Sequence, residues 1–267
     1  QPLDGDALER REVGERRLEP HRGPVGRERH DQVVLEFPRQ LDEDLDGALP
    51  EVAPVDLQLD GPGQNVDDPC FWVNPTDPGQ SLLFSTAKDS GLVEVWNASN
   101  GQFLSAITGF GRPNNCAVSG DLLLTTDATN GNVKVHHLPD LALVRTIGGD
   151  MGKPQGIDVS HPASGAPLVY VTDAGDASVH VYDLGTGNLV RSFPTGFGLA
   201  IEPILVDDRY QRVFVAREEG NNAHGFGVFT PEGQLVSEYH ADVFTYDTEG
   251  MALYVCGDGG YLIAADQ

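Results

Sequence analysis

The sequence predicts an all-β fold, a β-propeller built from four-stranded blades. Short strand signals bounded by Gly, Pro, Asp or Ser recur from about residue 64 onward, in sets of four. The third strands of successive sets begin at residues 92, 132, 178 and 225, so the sets repeat every 40 to 47 residues. That spacing is the period of a propeller blade. A β-sandwich, the competing all-β fold, does not require such self-similarity.

Each set is interpreted as one blade. Inner strands are predicted at 71–74, 115–118, 156–160, 203–207 and 251–255, and second strands at 82–86, 122–126, 168–172, 213–216 and 261–265. Third strands are predicted at 92–96, 132–136, 178–182 and 225–229, and fourth strands at 103–108, 141–147, 188–193 and 234–239. The third strands alternate apolar and polar residues, as half-buried strands do. About four and a half blades are therefore present. Because a propeller normally closes by pairing its first and last strands, we expect this chain to be part of a longer protein.

Residues 1–60 differ in composition from the rest of the chain. They hold sixteen acidic residues and eight of the fourteen arginines, in mixed-charge runs without an apolar stripe. Such runs predict a disordered or loosely structured N-terminal segment, followed by a propeller domain at 61–267 that is incomplete at its C-terminus. Residues 33–37 and 52–59 are the strand candidates within the N-terminal part.

The overall charge is strongly negative, with 41 Asp and Glu against 17 Lys and Arg and a net charge of −24. A protein without a basic patch is a poor partner for nucleic acid, and no apolar run approaches the roughly 20 residues that span a membrane. The three cysteines, Cys70, Cys116 and Cys256, lack metal-binding spacing. Their spacing favours buried thiols and leaves a single disulfide open.

Polar residues precede the predicted inner strands, which line the central channel of a propeller, so these residues should gather at one mouth of the channel. They are Asp67 and Asp68 before the first blade, Asn114 and Asn115 before the second, Glu202 before the fourth, and Asp247 and Glu249 before the fifth, whereas Pro154 and Gln155 break the pattern at the third blade. Converging carboxylates repel one another and require protons, distance or cations. Oxygen ligands in flexible segments suit calcium. For any one carboxylate taken alone, a turn residue bonded to its own backbone is the alternative.

Three motifs resemble the β-propeller phytases. They are Asp67-Asp68-Pro69-x-x-Trp72-Val-x-Pro75, Gly111-Arg-Pro-Asn114-Asn115, and Asp247-Thr-Glu249-Gly250-x-Ala-x-Tyr together with residues 260–267. The resemblance runs from about residue 64 to the end of the chain. It implies a six-bladed, secreted, calcium-dependent phosphatase that acts on phytate, myo-inositol hexakisphosphate. A monomer with no nucleic-acid or membrane partner is expected.

The resemblance also implies roles for individual residues. The implied calcium ligands are Asp67, Asp68, Glu202, Asp247 and Glu249. Lys88 matches a phosphate-contacting lysine and, with Glu202, is assigned to catalysis, while Asn114 and Asn115 match residues assigned to substrate binding. The implied reaction is attack of a calcium-bound water or hydroxide on a phosphomonoester.

The chain departs from the family pattern at four places that carry cationic or aromatic residues in the family. Asp89 replaces a second lysine, and residues 126–128 stand where the family has an arginine. Gln155 replaces a tyrosine, and residues 173–176 stand where the family has a lysine. These departures leave a second hypothesis open, a non-catalytic propeller stabilised by calcium that binds a ligand or a protein.

Overall fold

The computed structural model describes residues 31–36, 59–218, 225–239, 244, 247–257 and 259–266. Within these ranges the regular structure is β-strand, apart from one 3-10 turn at Pro78–Gln80. No helix in the described residues has the length and apolarity needed to cross a membrane.

Four antiparallel, four-stranded sheets form the first four blades, and in each the strand order follows the chain. Blade 1 contains β2 (Val66–Trp72), β3 (Leu82–Ala87), β4 (Leu92–Asn97) and β5 (Phe103–Ile107); blade 2 contains β6 (Pro113–Ser119), β7 (Leu122–Asp127), β8 (Asn132–His137) and β9 (Leu143–Gly148). Blade 3 contains β10 (Pro154–Ser160), β11 (Leu168–Asp173), β12 (Ser178–Asp183) and β13 (Leu189–Pro194); blade 4 contains β14 (Ile201–Asp207), β15 (Arg212–Arg217), β16 (Gly225–Phe229) and β17 (Leu235–Tyr239). The prediction of an all-β propeller is confirmed.

The fifth sheet combines the two ends of the chain. It pairs β18 (Thr248–Cys256) with β19 (Gly259–Asp266), and β1 (Asp31–Glu36) lies antiparallel to β19 on its other side. The N-terminal strand thus takes the place of a third strand in blade 5. It overlaps the strand candidate at 33–37, whereas residues 52–58 of the other candidate lie outside the described residues.

The core is divided into four apolar clusters, and each cluster lies between two consecutive blades. Val133 and Val135 of blade 2, for example, pack in one cluster with Val169 and Val171 of blade 3. Each inner strand also packs against the inner strand of the next blade. Because the sheets bury both faces in this way, the inner strands are held close together and their first residues converge.

Every inner strand contains a bulge near its start. The pairing with the second strand shifts register between Val66 and Pro69, Pro113 and Cys116, Pro154 and Ile157, Ile201 and Ile204, and Thr248 and Met251. Two residues of each inner strand therefore leave the regular ladder, and a bulge of this kind redirects side chains. Most of the polar residues that the sequence analysis placed before the inner strands lie inside these strands, at the bulges.

Threonine hydroxyl groups join consecutive blades at the bulges. In three successive blades a buried threonine of the second strand donates a hydrogen bond to the first bulge residue of the next blade; the pairs are Thr86 with the Asn114 carbonyl, Thr126 with the Gln155 carbonyl, and Thr172 with the Glu202 carbonyl. At blade 3 only glycine fits beside this contact, because a Cβ on Gly156 would lie 1.9 Å from the Glu202 carbonyl oxygen. The backbone at the mouth of the channel is therefore held by contacts between blades.

A disulfide links blades 1 and 2. Cys70 of β2 and Cys116 of β6 are bonded, with their Cα atoms 5.7 Å apart. The interpretation of these two residues as buried thiols is therefore wrong, since the packing of adjacent inner strands places their side chains together. Cys256 is not part of a disulfide.

Candidate functional site

The first bulge residues of all five blades line one cavity of about 400 Å³. They are Asp67, Asn114, Gln155, Glu202 and Glu249. The other residues that line the cavity are Asn65, Val66, Lys88, Arg112, Lys153 and Glu218. The cavity therefore brings carboxylates, amides and three cations from separate blades to one mouth of the channel.

Lys88 lies between two of the carboxylates. Its ammonium nitrogen is 2.5 Å from Asp67 Oδ2 and 3.5 Å from Glu202 Oε1, and 13% of its side chain is exposed. Asn114 Nδ2 donates a hydrogen bond of 2.9 Å to Glu202 Oε1, the same oxygen that faces the ammonium group. Burial would lower the pKa of Lys88, but the carboxylates of Glu202 and Asp67 raise it instead. Lys88 is thus cationic at neutral pH.

Four carboxyl groups near this lysine have pKa values above their ordinary range. Burial, together with Asp67 and Glu202, raises the pKa of Asp68 to about 8. Burial also raises the pKa of Glu249. It raises the pKa of Asp67 as well, although the contact with Lys88 lowers that pKa. For Glu218, burial and a hydrogen bond with Glu202 raise the pKa to about 10. Burial is the largest cause in all four groups, and neighbouring carboxylates add to it.

Arg112 reaches the cavity from the loop before β6. Asp127, the last residue of β7, is fully buried and accepts hydrogen bonds from the backbone N–H groups of Gly111 and Arg112, each at 3.0 Å. The Arg112 guanidinium donates a hydrogen bond of 2.6 Å to Asp89 Oδ1. Asp127 lies in the stretch that departs from the family pattern, and its carboxylate holds the loop that carries Arg112.

Lys153 reaches the cavity in the same way from the loop before β10. Asp173, the last residue of β11, accepts hydrogen bonds from the backbone N–H groups of Gly152 at 2.7 Å and Lys153 at 2.6 Å. The Lys153 side chain is exposed. Asp173 also lies in a stretch that departs from the family pattern, so the same arrangement recurs in two consecutive blades.

The structure brings together most of the residues that the sequence analysis selected. Asp67, Lys88, Asn114, Glu202 and Glu249 all line the cavity.

The other three predicted residues lie beside the cavity. Asp68 and Asn115 occupy the second bulge position of their blades, and Asn115 Nδ2 donates a hydrogen bond to Asp68 Oδ2. Asp247 lies two residues before the fifth bulge and is not among the described residues that line the cavity, although its charge contributes to the raised pKa of Glu249.

Sequence reasoning missed Arg112 and Lys153. A signal was present, because each cation directly precedes the proline that begins an inner strand, Pro113 in β6 and Pro154 in β10. This signal can be interpreted only when the position of the bulge is known, because the bulge determines which residues of the inner strand point into the channel. Without that register the two cations look like ordinary loop residues.

The residues at the mouth supply ligand atoms of the kind that a hard cation takes, although among the described residues three possible ligand side chains lie within 4.8 Å of one another only at Asp173, Asp176 and His180. The ligand atoms at the mouth are carboxylate and amide oxygens, which calcium prefers. Asn115 Oδ1 is buried and accepts no hydrogen bond within the described part of the chain, so it is available as a neutral oxygen ligand. A separate group of possible metal ligands, Asp173, Asp176 and His180, lies at the β11–β12 hairpin. The oxygens of Asp173 already accept backbone N–H groups, which makes this group the poorer cation site.

Residues 49–133 match the model of the phytase family. Over this segment the chain resembles the phytase family. The 3-phytase of Bacillus subtilis (strain 168) is 30% identical to it over 237 residues, which cover 75% of this chain and 59% of that protein. The chain thus spans about three fifths of the length of this relative. The resemblance to the β-propeller phytases that the sequence predicts is confirmed.

Solved structures show a similar fold. Hydrazine synthase of Kuenenia stuttgartiensis has a TM-score of 0.57 at 18% identity, with 78% of this chain and 57% of that chain covered. Sqt1 of Saccharomyces cerevisiae has a TM-score of 0.52 at 14% identity, with 74% and 58% covered. At these identities the likeness shows the fold alone. The phytase match, in contrast, includes Asp67, Asp68, Lys88 and Asn114, which lie in blades 1 and 2.

Proposed function

We propose that the protein is a calcium-dependent phosphomonoester hydrolase that releases phosphate from phytate. The observation that carries this proposal is the convergence of the five first bulge residues and Lys88 on one cavity. It occurs in a chain whose residues 49–133 match the phytase family and which is 30% identical to a 3-phytase.

The proposed calcium ligands are Asp67, Asp68, Glu202, Asp247 and Glu249, with Asn115 Oδ1 as a further oxygen donor. The raised pKa values of Asp67, Asp68 and Glu249 support a cation here, because the positive charge of a calcium ion would offset the burial and the repulsion that disfavour their charged forms. When bound, calcium supplies an activated water and a positive charge next to the phosphate.

The protein's own residues would hold and polarise the phosphate. Lys88 is a half-buried cation beside Glu202, so a phosphate oxygen that enters the cavity can replace a carboxylate as its partner. The negative charge that develops on the phosphate is then stabilised by a group already in place. Asn114 donates to Glu202 and thereby orients it, and its position in the cavity wall also suits it to contact substrate.

Bound calcium would allow this acidic protein to bind phytate, which is itself a polyanion. A chain with a net charge of −24 repels a polyanion, and bound calcium bridges the two. We propose that the protein acts as a secreted monomer, a setting that follows from the resemblance to the phytases. The alternative, a non-catalytic propeller stabilised by calcium, predicts the same calcium binding without phosphate release.

The test is phosphate release from phytate at neutral pH, with calcium and with a chelator, together with calcium binding by calorimetry. We expect release that requires calcium, and a loss of at least about 100-fold in kcat/KM in Glu202→Gln and Lys88→Gln. Asp140→Asn is the matched control, because Asp140 lies in the turn between β8 and β9, at the end of blade 2 away from the cavity. Calcium binding without release would support the non-catalytic alternative, and release that persists with chelator would overturn the calcium requirement.

A further inference from the structure

The residues around the mouth form two rings that follow from the repeated bulge. The inner ring consists of the first bulge residues, Asp67, Asn114, Gln155, Glu202 and Glu249. The outer ring consists of the residues two positions earlier, Asn65, Arg112, Lys153, Ala200 and Asp247. Each blade therefore contributes one residue to each ring at an equivalent position.

The two rings divide the mouth into an acidic half and a basic half. Blades 1, 4 and 5 contribute a carboxylate to the inner ring, whereas blades 2 and 3 contribute neutral amides. In the outer ring the same two blades contribute the only cations, Arg112 and Lys153. Lys88 belongs to the acidic half, where Asp67 and Glu202 already compensate its charge.

We propose that Arg112 and Lys153 form an anion-binding half of the mouth, which takes a phosphate group of the substrate and orients it toward the acidic, cation-binding half. This inference deepens the proposed function and rests on it. The chain lacks cationic residues that the family pattern has at residue 89, residues 126–128 and residues 173–176. In this inference, Arg112 and Lys153 supply positive charge in their place.

The loops that carry the two cations are held in place before any ligand binds. Asp127 fixes the backbone of residues 111–112 and Asp173 fixes that of residues 152–153, each through at least two hydrogen bonds. Both anchors have charged oxygens that accept from backbone N–H groups, which makes strong hydrogen bonds. A preorganised cation loses less conformational freedom on binding than one on a free loop.

Lys153 should contribute more than Arg112. Lys153 lines both the main cavity and an adjoining one of about 210 Å³, which Leu199, Ala200 and Glu218 also line. No ion pair involves Lys153 among the residues that the structure describes, whereas Arg112 is paired with Asp89 at 2.6 Å. A phosphate must compete with a carboxylate for Arg112 but not for Lys153.

The test measures phosphate binding separately from catalysis. Calorimetry with inorganic phosphate, on the whole chain with calcium present, should show roughly tenfold weaker binding for Lys153→Gln and a smaller loss for Arg112→Gln. Lys153→Arg should retain most of the affinity. Arg212→Gln is the control of equal charge change, because Arg212 begins β15 and lies at the opposite end of blade 4 from Arg217 and the cavity. With phytate, Lys153→Gln should raise KM by a similar factor and leave kcat nearly unchanged.

The outcomes separate this inference from the proposed function. Wild-type protein that binds phosphate without releasing it from phytate would contradict the hydrolase while leaving the anion-binding half testable by calorimetry. Wild-type protein that hydrolyses phytate, with Lys153→Gln and Arg112→Gln both unchanged in KM and in phosphate affinity, would overturn the inference alone. An equal loss of phosphate affinity in Arg212→Gln would show that the effect comes from the overall charge of the protein, and it would also overturn the inference.

Discussion

Replacement of Thr126 by valine tests whether threonine hydroxyl groups hold the mouth of the channel. The Thr126 side chain is fully buried, and its hydroxyl donates a 2.7 Å hydrogen bond to the Gln155 carbonyl of the next blade. The same hydroxyl accepts a 3.0 Å hydrogen bond from the backbone N–H of Asn115. Valine has nearly the same shape, so Thr126→Val removes these contacts with little change in packing.

The expected loss of stability comes from two backbone groups, the Gln155 carbonyl and the Asn115 N–H, which lose the Thr126 hydroxyl as a hydrogen-bond partner. Both lie at bulges, where the regular ladder is interrupted. A buried polar group without a partner costs about 1–3 kcal/mol, so Thr126→Val should lower the free energy of unfolding by about 2–5 kcal/mol. For a domain of this size that corresponds to a fall in Tm of roughly 5–15 °C.

Thr125 provides the matched control on the same strand. It is fully buried as well, but its Oγ1 has no hydrogen-bond partner among the described residues. Thr125→Val should therefore be neutral, or should stabilise the protein by about 1 kcal/mol, because it removes an unsatisfied hydroxyl. Urea unfolding of both variants at saturating calcium measures the difference. Equal losses in the two variants, or a loss below about 0.5 kcal/mol for Thr126→Val, would refute the reasoning.

Three further predictions follow from the contacts around the mouth. Reduction of the Cys70–Cys116 disulfide, which closes a loop of 46 residues, should lower the free energy of unfolding by up to about 4 kcal/mol; urea unfolding with and without reductant measures this, and an unchanged midpoint would contradict it. Calcium-free protein should lose stability as the pH rises from 5 to 9. The pKa of Asp68 is about 8 in the folded state, against an ordinary value of 3.8, so the folded state binds more protons over this range and stability must fall. Calcium should oppose this loss, and the difference in Tm between calcium-loaded and chelated protein should widen toward pH 9; a difference that narrows would count against a shared cation. Gly156→Ala should destabilise the protein by several kcal/mol, about the cost of severe overpacking, because its Cβ would lie 1.9 Å from the Glu202 carbonyl oxygen. Thermal unfolding would detect this, and an unchanged Tm would show that the two blades can separate at little cost.

The blade pattern could be predicted because its signals are local. The third strand of blade 1 is predicted at 92–96 and found at Leu92–Asn97, since alternating side chains and flanking turn residues act over only a few positions. The pairing of β1 with β19 could not be predicted, because it joins residues more than two hundred positions apart. A strand candidate at 33–37 carries no information about its partner.

The acidic half of the site could also be predicted, whereas the basic half could not. Asp67, Glu202 and Glu249 lie at the start of inner strands, and the topology of a propeller alone brings such positions to one mouth. Arg112 and Lys153 lie two residues earlier, where their direction depends on the bulge and on the buried carboxylates of Asp127 and Asp173. From the sequence alone, Asp127 and Asp173 are noticed only because they lie in stretches where the family has a cationic residue.

The sequence by itself therefore determined the fold class, the repeat and the acidic character of the channel mouth, because these depend on composition and short-range periodicity. Only the tertiary structure decided which residues share a cavity, which cysteines pair, and which loops hold cations in place. Bulge register, contacts between blades and the burial of each carboxylate depend on residues distant in the chain. The direction of a side chain and the protonation of an acid follow from these distant neighbours.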